Sequence, residues 1–228
     1  MVNRKTIEFH NIDAPIGEFD TKFGGQPTWL EEPQWPISKE LNSQMRFICQ
    51  IKLTDDLFPG CGGKVAYIFM TDDEEYVDDT WEPDGGENAV IIQPNGNPQV
   101  NVKNIPNGPT LQNYVEVEGK RRLQPVDVEL KVTLSASEDP QFIPEAARFE
   151  MSDEGSEKYS NNLEGNKLGG TPGFLQGDEF PGDDKHWKLL MQLDSCGVPF
   201  SLNFGDAGIS YAFINEDATI GKFLWQCC

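Results

Sequence analysis

The chain has 228 residues, with 38 Asp and Glu against 18 Lys and Arg, and a formal net charge of -20 at neutral pH. A surface of that sign repels phosphate, which argues against nucleic-acid binding through a basic patch and against adsorption to anionic membranes. The 22 Gly and 16 Pro imply many turns and few long helices, while 14 Phe and 5 Trp supply apolar surface for a sizeable core.

Ile7 and Phe9 alternate with polar residues over 4–10, which predicts a strand. Residues 22–36 form a loop rich in Gly, Pro and Trp, and Trp29, Leu30 and Trp35 are expected to pack over a sheet edge. Residues 47–53 read as a buried strand. Residues 65–71 read as its neighbour, entered through the turn Gly60-Cys61-Gly62-Gly63. Between 72 and 87 lie Asp72, Asp73, Glu74, Glu75, Asp78, Asp79, Glu82, Asp84 and Glu87, with Tyr76 and Trp81 among them; a solvated loop or edge is expected. Residues 90–92 resume strand character and 95–109 form a long loop. After a short strand at 114–117, residues 126–134 alternate without a break and predict one half-buried strand.

Residues 144–149 predict a short helix with proline in its first turn. Residues 152–166 form a loop or a second short helix, and 178–184 an acidic loop. Residues 200–204 and 209–214 read as paired strands about the turn Gly205-Asp206-Ala207-Gly208, and 217–223 as a closing helical turn. The fold class is therefore α+β, mainly β, with largely antiparallel sheets and few short helices, because the connections lack crossover helices.

The chain also repeats itself. Lys22-Phe23-Gly24-Gly25-Gln26-Pro27-Thr28-Trp29-Leu30 is matched by Lys167-Leu168-Gly169-Gly170-Thr171-Pro172-Gly173-Phe174-Leu175. Each copy is followed by an apolar run ending in Gln-aliphatic, at Gln50-Ile51 and at Gln192-Leu193. Each run is followed by a Gly turn and a Tyr-x-Phe strand, at Tyr67 and at Tyr211. Three ordered matches imply an internal duplication, and two copies are too few for a solenoid. The expectation is one domain over 1–228, with halves at about 20–135 and 165–226 sharing a core.

Little in the sequence points to catalysis. The only histidines are His10 and His186, and none of the five cysteines (Cys49, Cys61, Cys196, Cys227, Cys228) forms a Cys-x-x-Cys pair. No metal site, cofactor or catalytic residue is assigned. Cys49 is expected in the core, and Cys61, between glycines, nearer the surface. Lys22 and Lys167 could bind an anion, cap a carbonyl or pair with a carboxylate. Asp206 could line a site or bond its own turn. Gln50 and Gln192 are expected to satisfy backbone groups at strand ends. With no visible export signal or apolar span, the expected location is cytoplasmic.

These repeated segments, with the Phe204–Phe213 region, resemble the YwqG-like family, a domain of unknown function (DUF1963), over about residues 22–226. The resemblance implies an α+β fold dominated by β structure and no established reaction. It extends distantly to programmed cell death protein 2, whose relatives act as dedicated chaperones for a basic ribosomal protein. Some family members look like parts of toxin–immunity neighbourhoods. The zinc-finger cysteines of the eukaryotic relatives are missing here. The resulting expectation is a non-enzymatic module that binds a basic protein, a toxin or client, through Asp72, Asp73, Glu74, Glu75, Tyr76, Asp78, Asp79 and Trp81. The alternative is an enzyme or small-ligand binder with Lys22, Lys167 and Asp206 in a cleft between the halves. A third reading is a nucleic-acid mimic, whose carboxylates would imitate phosphates.

Overall fold

A computed structural model describes residues 1–12, 15–73, 77–116, 118, 122–182 and 187–228. In chain order the strands are β1 (Val2–Asn11), β2 (Lys22–Gly24), β3 (Trp35–Pro36), β4 (Arg46–Lys52), β5 (Val65–Met70), β6 (Asn88–Gln93), β7 (Val102–Lys103), β8 (Gln112–Val115), β9 (Gln124–Asp127), β10 (Glu129–Asp139), β11 (Lys167–Gly169), β12 (Lys188–Asp194), β13 (Ile209–Ile214) and β14 (Gly221–Gln226). The helices are α1 (Glu145–Arg148) and α2 (Asp153–Leu163).

A barrel closes in the order β1-β10-β2-β4-β5-β6-β14-β13-β12-β11, and β11 returns to β1. Its strand pairs are antiparallel. Closure leaves the main sheet without a long free edge. The run β2-β4-β5-β6 has the same order and direction as β11-β12-β13-β14. The two runs touch directly where Gly221 of β14 faces Val90 of β6. On the other side the long pair β1–β10 joins them, in register from Val2↔Asp139 to Asn11↔Leu130. Two small sheets, β3–β7 and β8–β9, lie outside the barrel.

The central strands are apolar on both faces because both faces are buried. All six residues of β5 are inaccessible. Ala66, Ile68 and Met70 point into the barrel core, while Val65, Tyr67 and Phe69 join an outer cluster with Trp35, Phe47 and Ile91. On β13, Ala212 and Ile214 point inward, and Tyr211 and Phe213 outward. Trp29 and Leu30 thus pack over the outer face of the first run, not over its edge. At about 1.5–3 kcal/mol per fully buried large side chain, these two layers dominate the stabilisation.

Several elements depart from the sequence pattern. The alternating segment 126–134 is two strands, because Val128 leaves the ladder: its N–H donates to Leu111 O and its carbonyl accepts from Gly25 N–H. Val126 consequently lies on the outlying hairpin and is exposed. Residues 200–204 form no strand. Phe200 and Phe204 are instead buried in the barrel core, where aromatic bulk fills space a flat strand would leave empty. The segment expected to end in a helical turn becomes β14 from Gly221 onward. Cys61 is buried, not exposed, with Sγ directed at the carbonyls of Pro59 and Glu216. Of the two readings for 152–166, a helix forms: Ser152 caps it by accepting from Gly155 N–H, Asp153 and Glu154 favour the positive end of its dipole, and Tyr159 and Leu163 bury one face.

Candidate functional site

The repeated motif builds the same hydrogen-bonded frame in both runs. Gly24 and Gly25, like Gly169 and Gly170, have φ between 64° and 81°, a region that disfavours side chains. The chain therefore turns out of β2 and of β11 and back across the adjoining strands. Gln50, fully buried on β4, accepts from Thr28 N–H and donates to the carbonyls of Glu18 and Asp20. Gln192 on β12 accepts from Gly173 N–H and donates to those of Leu163 and Gly165. These glutamines tie loops together; they do not cap strand ends.

The Tyr67 hydroxyl donates to Thr28 O and accepts from Leu30 N–H, at 2.8 and 2.9 Å. The Tyr211 hydroxyl does the same with Gly173 O and Leu175 N–H, at 2.8 and 3.0 Å. Burial pushes both phenols well above the usual tyrosine range. Gln93 and Gln226 complete the frames at the last strand of each run.

The lysines take their carboxylates from opposite ends of one strand, β10. Lys22 Nζ lies 2.6 Å from Glu129 Oε1. Lys167 is fully buried and donates to Asp139 Oδ2 at 2.9 Å and to the carbonyls of Leu163 and Thr171 at 2.7 Å. Asp139, also fully buried, is held further by Arg4 at 2.8 Å and by Thr171 N–H at 2.9 Å. Burial lowers the Lys167 pKa to about 8, with Asp139 opposing the shift. Asp206 lies elsewhere, exposed in a turn whose side-chain bond comes from Asn203, which accepts from Gly205 N–H. The structure does not bring Lys22, Lys167 and Asp206 together: each lysine is consumed by its own ion pair.

The acidic stretch is partly structural. Glu87 is buried and accepts from Ser38 Oγ, Thr71 Oγ1 and Glu40 N–H. Asp72 pairs with Arg46 at 2.7 Å, and burial raises its pKa against the pull of that arginine. Asp84 pairs with Lys222. Asp73, Asp78 and Asp79 are exposed. Trp81 is half-buried, edge-on to Trp225 with ring centres 5.9 Å apart. Glu74, Glu75 and Tyr76 lie outside the described residues, as does His186. Among the described residues no three His, Cys, Asp or Glu converge as a metal site, and no helix is long and apolar enough to cross a membrane.

A cleft of about 1160 Å³ lies beside the second motif, lined by residues other than those expected for a cleft between the halves. Its lining joins 56–59 of the first half and 1–3 at the chain start with Gln141, Phe142, Pro144, 169–172, 178–180, Gly182 and 187–189. Phe58, Phe142, Phe180, Trp187 and Leu189 make it apolar, while Asp56, Asp178 and Glu179 lie on its walls. Asp178 is fixed by Arg148 and by Glu145 N–H, and Glu179 accepts from Gln226. Trp187 Nε1 is buried with no hydrogen-bond partner among the described residues. None of Lys22, Lys167 and Asp206 lines the cleft. Its signal in the sequence is weak, because its aromatics come from segments far apart in the chain.

A search of curated proteins finds no match to this chain. The family model described as "Domain of unknown function (DUF1963)" matches residues 21–222, from the start of the first repeated motif into β14. By that match over most of its length, the chain belongs to the DUF1963 family.

Proposed function

We propose that this protein is a non-enzymatic, cytoplasmic binding module for a basic protein partner, of the kind an immunity protein or dedicated chaperone recognises. The observation that carries this reading is the apolar cleft walled by Asp56, Asp178 and Glu179 on a chain of net charge -20. Aromatic floors supply contact area and carboxylates at the margin steer a cationic partner. The exposed Asp73, Asp78 and Asp79, away from the cleft lining, add to the acidic field of the chain, with Trp81 near them in sequence. The two matching frames support reading the halves as copies of one unit, merged into a single domain.

The test is co-purification from native lysate at low and moderate salt, beside a variant with the exposed Asp73, Asp78 and Asp79 neutralised, which leaves the Arg46–Asp72 pair intact. A stoichiometric basic partner, lost in the variant or with salt, is the expected result. Failure to recover any partner under either condition would sink the reading. A second reading, a small-ligand binder, is favoured by the volume and apolar floor of the cleft, which suit a compact organic molecule.

A further inference from the structure

The first half shows what the cleft in the second half is shaped to hold. In the first half, segment 106–110 runs along the motif loop and the start of β4. Phe47 N–H donates to Pro109 O at 2.8 Å, and Phe47 pairs in parallel with Thr110. The Arg46 guanidinium donates to Thr110 O at 2.7 Å. Gln26 makes two bonds with the Gly108 backbone, and Trp29 Nε1 donates to Pro106 O at 2.9 Å. An extended stretch of chain is thus held mainly through its carbonyls.

Register fixes the equivalent positions in the second half. Gln50 faces Lys22 and Tyr67, and Gln192 faces Lys167 and Tyr211. A bulge follows Phe47 on β4 and Leu189 on β12, each three residues before its glutamine. Leu189 therefore stands where Phe47 stands, Lys188 where Arg46 does, and Thr171 where Gln26 does. All three line the cleft. At these three positions the cleft overlaps the place that 106–110 fills in the other half, although Phe174, the counterpart of Trp29, does not line it. The outer clusters agree: eight buried residues lie under the covered face of the first half, and four on the second among the described residues.

We propose that the cleft is a strand slot, unfilled by the described residues, that takes an extended, proline- or glycine-containing segment of the partner protein, with basic side chains flanking it. The segment would lie parallel to the start of β12 and accept from Leu189 N–H and from the Lys188 ammonium, which gives one of its three N–H groups to Glu216 O at 3.3 Å. Trp187 Nε1, buried and unpartnered among the described residues, supplies a donor like the one Trp29 gives to Pro106. Charge favours basic flanks: Glu179, held among the described residues only by the neutral Gln226 amide, borders the slot, and Asp56, paired with Lys5, and Asp178, paired with Arg148, keep lone pairs for a further donor. The inference rests on the proposed protein-binding function and specifies its site.

The probe is a synthetic peptide with the sequence of residues 104–111 and one added lysine at each end, titrated into the ¹⁵N-labelled full chain. Shifts are expected at Thr171, Trp187 Nε1–H, Lys188 and Leu189. Affinity should fall when salt is raised from about 50 to about 300 mM. Trp187→Ala should weaken binding about tenfold or more, as loss of a buried aromatic anchor does. Asp56→Asn, at a largely exposed side chain, should weaken it less and flatten the salt dependence.

Shifts elsewhere, or none at millimolar peptide, overturn the slot; so do slot shifts that track protein concentration alone, which would assign it to a second copy. If a basic partner still co-purifies while the peptide misses the slot, the binding function stands and the slot falls. If the peptide binds and no partner is recovered, the slot stands and the basic-partner reading falls.

Discussion

The two repeated lysines sit in matching frames, yet their counter-ions differ in burial, and that difference sets unequal costs for the same chemical change. Asp139→Asn keeps the shape of a side chain that is fully buried and holds Lys167, Arg4 and Thr171 N–H. It leaves the Lys167 ammonium in the interior with two carbonyls and no carboxylate, and breaking such a buried pair costs about 3–5 kcal/mol. Glu129→Gln leaves Lys22, itself 8% exposed, beside an amide oxygen at a position 37% open to water, so the cost should be smaller than at Asp139, about 1 kcal/mol. Urea unfolding of both variants near pH 7 measures this, with a midpoint shift of roughly 1–2 M for the first and little for the second.

The pH dependence adds an independent arm. The folded-state pKa of Lys167, about 8, lies below the ordinary lysine value, so between pH 8 and about 10.4 the unfolded chain binds more protons. Stability relative to Lys167→Met should therefore rise across that window, by about 3 kcal/mol at most. Equal losses at Asp139 and Glu129, or a difference from Lys167→Met that falls as pH rises, refutes the reasoning.

Tyr67→Phe and Tyr211→Phe each remove a hydroxyl that bridges two backbone groups, and each should lower stability by about 1–3 kcal/mol in the same unfolding assay. Glu87→Gln should cost a similar amount, about 1–3 kcal/mol, because three donors converge on this buried carboxylate; a neutral result would place it with the solvated acids. Gly170→Ala, at φ +81° and against the Asp139 carboxylate, should destabilise more than Gly165→Ala, at φ +88° with open space around it. With a water-soluble thiol reagent, the exposed Cys196 and Cys228 should react in the native state. Cys49, whose thiol burial pushes up, and Cys61 should react only on unfolding.

The strands at 47–53, 65–71 and 209–214 were legible because burial on both faces leaves an uninterrupted apolar run, and the repeated motif located both frames. What the pattern could not reveal was where chains meet. Val126, Val128 and Leu130 alternate perfectly, but Val128 gives its backbone to Leu111 and Gly25, a tertiary demand that periodicity does not record. Asp139 looks like one more acid before a proline, and its role depends on Arg4 and Lys167 arriving from distant segments. Within the acidic stretch, Glu87 differs from its neighbours only through the hydroxyls of Ser38 and Thr71. A cleft between the halves was among the expectations, but its lining was hidden for the same reason, because it is a space left between distant segments and excludes Lys22, Lys167 and Asp206.

Strand β10 gives Glu129 to one frame and Asp139 to the other, and it belongs to neither four-strand run. Neither lysine can find its counter-ion until that strand has paired with β1 and β2, across a sequence separation of more than a hundred residues. Pairing of this sequence separation favours slow folding. A chain cut after residue 110 or begun at residue 165 would keep its repeated turn but lose the carboxylate that neutralises it. The two halves, alike in design, are therefore obligate partners in folding.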